Sequence, residues 1–159
     1  MRDAVRAAVG IVCALVIHTL LARIAASWTP LFHVFLLVVL FGAQFRGELF
    51  GAALGTCCGL IVDTLSLGVF GISGLSMTLT GYLAGLVAMR INVLSFFRNF
   101  VFLFLMTGLE FVLWNLLAAL LVGQPLSGVR TLLARPLATA LLGAVLWGAV
   151  RRIRKKHGK

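Results

Sequence analysis

Residues 46–85 read RGELFGAALGTCCGLIVDTLSLGVFGISGLSMTLTGYLAG. Gly47, Gly51, Gly55 and Gly59 recur at strict four-residue spacing in an apolar run, with Ala52 and Thr56 beside them. Residues four apart share one helix face, so these glycines make one bare stripe. A glycine facing lipid would gain nothing and would lower helix propensity. A bare stripe instead lets a second backbone come close. It serves to pack the helix against a neighbour in the same chain, to dock another protein's transmembrane helix, or both. Gly81 and Gly85 repeat the spacing in the next apolar run.

Outward from that stretch the chain stays apolar. Of its 159 residues, 62% are hydrophobic and 11% charged, where a soluble domain carries roughly a quarter charged residues. Such a chain lacks the polar surface to dissolve in water, and lipid is the solvent it suits. Each crossing takes about 20 apolar residues, which limits the chain to about six crossings with little loop. The runs are long and unbroken rather than short and alternating, unlike those of a membrane barrel. Backbone amides in lipid must be paired locally, which requires helices. The expected fold class is an all-α integral membrane protein, a bundle of six transmembrane helices with no soluble domain.

The spans are expected at residues 7–26, 31–45, 49–65, 74–89, 100–122 and 136–150, with a basic tail over 151–159. Asn92, Arg98 and Asn99 fall in the link before the fifth span. The apolar run after Arg2 and Arg6 is long for a signal-peptide core and more spans follow, so it reads as an uncleaved first helix. The second span is short. It reaches about 22 Å at ~1.5 Å per residue, against a core of ~30 Å. It begins further back, distorts the bilayer, or is re-entrant, and in the last case only five spans cross.

Charge placement favours six. Arg2, Arg6, Arg46, Arg90, Arg98, Arg151, Arg152, Arg154, Lys155, Lys156 and Lys159 then share one side, and only Arg23, Arg130 and Arg135 lie opposite. The positive-inside rule puts the first side, with both termini, in the cytoplasm. Topology and contact with anionic headgroups also account for the net charge of +10. The cations do not line one face, which argues against nucleic acid as a partner.

Few polar groups sit inside the runs. Asp63 ends the glycine helix near the outer boundary, where a carboxylate needs a partner. It is expected to bond backbone amides around Gly68 and Gly71, with proton or ion chemistry as the alternative. Glu110 lies about 18 Å beyond Arg98 by helical rise, near the midplane. There it must face protein or water, or carry a proton. Thr107 shares its face and Asn115 follows five positions on. His18 on the first helix is at comparable depth, and an interhelical hydrogen bond between the two is expected. A proton path would need a second acid at that depth, and Asp3, Glu48 and Asp63 all fall at interfaces. Trp28 and Trp147 suit interfacial anchoring, whereas Trp114 is expected to pack beside Glu110.

No pattern of a catalytic centre is visible. The chain has no nucleophile elbow, no HExxH, no phosphate-binding glycine loop and no acidic pair on one helix. Cys13, Cys57 and Cys58 lie in apolar runs without metal or redox spacing, and His18, His33 and His157 are scattered. No enzyme activity, cofactor or metal is expected.

The core Gly55-x3-Gly59-Leu60-x2-Asp63, then Gly68, Gly71, Leu75 and Gly81-Tyr82-x2-Gly85, resembles the MreD family of rod-shape-determining proteins. The likeness extends to a proline after the first helix, a glutamate in the fifth and a basic end, and departs at His33, where an acidic residue often follows the proline. It implies a non-enzymatic protein of the bacterial inner membrane that partners the scaffold MreC, alongside MreB filaments, RodA and an elongation-specific penicillin-binding transpeptidase. It also implies a fold like the six-helix substrate-binding subunits of energy-coupling-factor transporters. A vitamin-binding transport subunit of that fold is the competing reading. It should carry polar and aromatic groups at its outer mouth, where Asp63, Ser66, Gln124, Ser127 and Arg130 are the groups on offer.

Overall fold

The computed structural model describes residues 9–17, 19–20, 33–66, 70–90, 96–123, 136–143 and 148. Helical segments account for nearly all of these, and no strand occurs among them. We label them α1 (residues 9–17 and 19–20), α2 (Val34–Arg46), α3 (Glu48–Ser66), α4 (Ile72–Arg90), α5 (Phe96–Val122) and α6 (residues 136–143). The helices α3 and α4, and residues 97–121 of α5, are each long and apolar enough to cross a membrane. The protein is an all-α multi-pass membrane bundle. The first span beyond residue 20, the loop 124–135, most of the end of the sixth span and the tail lie outside the described residues.

The short helix α2 is the hub. Its 13 residues cover about 20 Å at ~1.5 Å each, less than the ~30 Å hydrocarbon core. Burial explains why this suffices. Leu36, Val39, Leu40 and Ala43 are wholly enclosed, and Phe35 and Leu37 nearly so. A helix surrounded by protein presents little to lipid, so its length is set by its neighbours. Each of the other helices touches it: α1 at Gly10 beside Val38, α3 at Leu54 beside Gly42, α4 at Gly81 beside Val39, and α6 at Gly143 beside Leu37. The contact from α5 is polar, with Gln44 Nε2 donating to Asn99 Oδ1 at 3.0 Å.

Gly47 alone separates α2 from α3. Its φ of +90° lies in the left-handed region that only glycine enters freely. Its N–H donates to the Ala43 carbonyl at 2.9 Å, closing α2, and α3 then starts in a new direction. Gly71, with φ +103°, makes the corresponding turn into α4. The chain thus runs down α2 to Arg46, back along α3, down α4 to Arg90, and back from the start of α5. Arg46, Arg90 and Arg98 therefore lie towards one end of the bundle.

Beyond the sequence expectation, α5 begins at Phe96, four residues before the apolar run at 100. Arg98 and Asn99 belong to its first turn rather than to a link.

Candidate interaction site: the glycine seam and the buried polar groups

The glycine stripe of α3 faces α4, backbone against backbone. A Cβ placed on Gly51 would collide with the Gly81 carbonyl oxygen, and one on Gly81 with the Gly51 carbonyl. A Cβ on Gly55 would strike the Met77 carbonyl, and one on Gly59 would lie 2.5 Å from the Ser73 carbonyl oxygen and the Gly74 Cα. Gly85 meets the backbone of Glu48, and Gly47 faces Met89 Sδ at 3.5 Å. Each step of four along α3 is matched by a step of about four back along α4. Antiparallel helices in this register give each other a continuous bare strip, and close packing holds them. Beside the seam, the Thr56 and Thr78 hydroxyls share a hydrogen bond of 2.8 Å. The stripe is therefore filled within the chain.

Asp63 ties the far end of this pair together. Its carboxylate is buried at 4% exposure. Oδ2 accepts the N–H groups of Gly71 at 2.8 Å and Gly74 at 3.0 Å, and Oδ1 that of Ser73 at 3.1 Å. These are amides of the turn and first residues of α4, which lack partners within their own helix. A negative group there also faces the positive end of the helix dipole. Asp63 caps α4 from a neighbouring helix. Gly68 lies outside the described residues.

Glu110 is 3% exposed, between α5 and α4. Ser76 Oγ has two acceptors in reach of its one proton, Glu110 Oε1 at 3.4 Å, a long contact, and the Ser73 carbonyl at 3.2 Å. His18, its expected partner, lies outside the described residues. Thr107 donates to the Leu103 carbonyl at 2.7 Å and Asn115 Nδ2 to the Phe111 carbonyl at 2.8 Å. Both bonds return to their own helix, which lowers the cost of burying a polar side chain. Trp114 is half-buried, and Trp28 and Trp147 lie outside the described residues.

Sequence reasoning missed two features of this region. One is Asn99, completely buried and bonded to Gln44. The signal was its position four and eight residues before Leu103 and Thr107, on the inward face of the same helix. Asn99 Nδ2 and Gln44 Oε1 are enclosed without a partner among the described residues, so the amide pair is only half satisfied. The other is Gly108. A Cβ there would meet nothing within 4 Å, although the residue sits mid-helix in α5. It lies on the outward stripe formed by Leu105, Val112, Leu116 and Leu120, all exposed.

Among the described residues no group of His, Cys, Asp and Glu is placed to hold a metal ion. Cys13 and Cys57 are exposed and Cys58 is buried, all as free thiols. The features above hold helices together.

No curated protein and no solved structure matches the chain. One family model does, that described as rod shape-determining protein MreD, over residues 2–150. With nearly the whole chain matched, the protein belongs to the MreD family, the non-enzymatic membrane proteins of the bacterial cell-wall elongation (Rod) system that associate with an MreC-type scaffold.

Proposed function

We propose that this chain holds the transmembrane helix of the MreC-type scaffold on the outward face of α5 and so biases the scaffold's arrangement outside the membrane. The observation that carries this is Gly108. A glycine inside a helix costs about 1 kcal/mol relative to alanine. The seam glycines offset that cost by letting α3 and α4 meet, whereas no described atom approaches Gly108. It leaves a notch between Leu105 and Val112 on an exposed apolar stripe. Such a notch admits another helix closely in lipid, where packing rather than hydrophobic expulsion drives association.

On this reading both termini are cytoplasmic in the inner membrane, and Arg46, Arg90 and Arg98 mark the cytoplasmic end. The bundle has the fold of the six-helix substrate-binding subunits of energy-coupling-factor transporters. MreB, RodA and the elongation-specific transpeptidase join through the scaffold or beside it. The test is co-purification of the MreC-type protein with wild type and with Gly108→Leu. Loss of the scaffold from a well-folded Gly108→Leu protein supports the reading, and undiminished recovery overturns it.

A further inference from the structure

The crevice between α4 and α5, at the end of the bundle where α5 begins, has a volume of about 280 Å³. Among the described residues its walls are Val87 of α4 and Phe97, Val101, Phe102, Leu105 and Met106 of α5, and the one polar lining residue is Arg98. We propose that this crevice binds one anionic phospholipid, with an acyl chain along the apolar floor and the headgroup phosphate on Arg98.

Three observations select this occupant. Arg98 is exposed and stands in the first turn of α5, where a membrane-crossing helix meets the headgroups. Its guanidinium suits a phosphate better than a neutral group, because paired N–H donors match two oxygens. The crevice also ends within one leaflet. From Arg98 to Met106 is about 12 Å at ~1.5 Å per residue, whereas a leaflet is roughly half of the ~30 Å core. A partner's transmembrane helix would need a groove through both leaflets, while an acyl chain needs only one. Finally, Arg90 closes α4 at this same end, so a second cation raises the local attraction for an anionic headgroup.

Native mass spectrometry of the full chain in detergent, titrated with palmitoyl-oleoyl-phosphatidylglycerol or the matching phosphatidylcholine, tests this. The wild type is expected to bind one phosphatidylglycerol with a preference of about fivefold over phosphatidylcholine, the scale of one surface arginine. Arg98→Gln, at an exposed position, should remove most of the preference, leaving only the weaker attraction of Arg90, with phosphatidylcholine binding unchanged. Val101→Trp, also at an exposed wall, should fill the crevice and remove the single tight adduct. An undiminished preference in Arg98→Gln, or an adduct that persists in Val101→Trp, would overturn the proposal.

Discussion

Gly51 and Gly81 stand face to face across the α3–α4 seam, each where a Cβ would run into the other's carbonyl oxygen. This reciprocal contact is one rung of a strip that continues through Gly55 and Met77 to Gly59 and Ser73. Neither helix can gain a side chain there without the backbones moving apart.

Gly55→Leu is accordingly expected to insert into the membrane normally and to lose at least about 3 kcal/mol of stability, the upper range of overpacking. The neighbour it meets is backbone, which cannot rotate away. Gly108→Ala is the control. With open space around it, it should be neutral or stabilising by up to about 1 kcal/mol. Denaturant unfolding of the purified proteins, followed by circular dichroism, measures both.

Asp63→Ala should cost about 2–3 kcal/mol, because three amides at the start of α4 lose their acceptor in a place water barely reaches. Asp63→Asn keeps one carbonyl oxygen and should fall between Ala and wild type. Amide hydrogen exchange at Gly71, Ser73 and Gly74 gives the local reading, with the fastest exchange expected in Asp63→Ala.

Glu110→Gln is expected to preserve both stability and rod shape. A glutamine Oε1 can accept from Ser76 as the glutamate does, and the alternative acceptor of that one hydroxyl proton, the Ser73 carbonyl, is unchanged. Complementation of a strain lacking the chromosomal copy is the check. Loss of rod shape with normal expression would show that the charge itself is used.

The Gln44–Asn99 pair should behave asymmetrically. Asn99→Leu alone strands the Gln44 amide and is expected to destabilise by about 1–3 kcal/mol. The double change Gln44→Leu with Asn99→Leu removes both polar groups, together with the two atoms that already lack partners. It should recover most of that loss, as measured by a double-mutant cycle.

These residues also mark how far the sequence could be read. Hydropathy alone specifies helices, because lipid leaves the backbone no other way to pair its amides. The four-residue spacing of the glycines was legible for the same reason that it works, since a helix repeats its face at that interval. Which neighbour the stripe would face was not, because an internal helix and a foreign one make the same demand on it. The central place of α2 was hidden by its length. The apolar run 31–45 looks like a poor span when judged against lipid, and only the contacts made at Leu37, Val38, Val39 and Gly42 show that protein surrounds it. Asn99 was misplaced because a polar residue beside Arg98 resembles a loop, although burial depends on the face it occupies. Gly108 gave no pattern to find, being one glycine without a partner at helical spacing. Its meaning comes from what is missing around it.

Site-specific photo-crosslinking in membranes containing both proteins measures directly where the MreC-type scaffold touches this bundle. A crosslinker at Val112, one turn from Gly108 on the exposed stripe of α5, should capture the scaffold. One at Met77, buried in the α3–α4 seam, should capture only the chain itself. Capture of the scaffold from Met77 and not from Val112 would contradict the account.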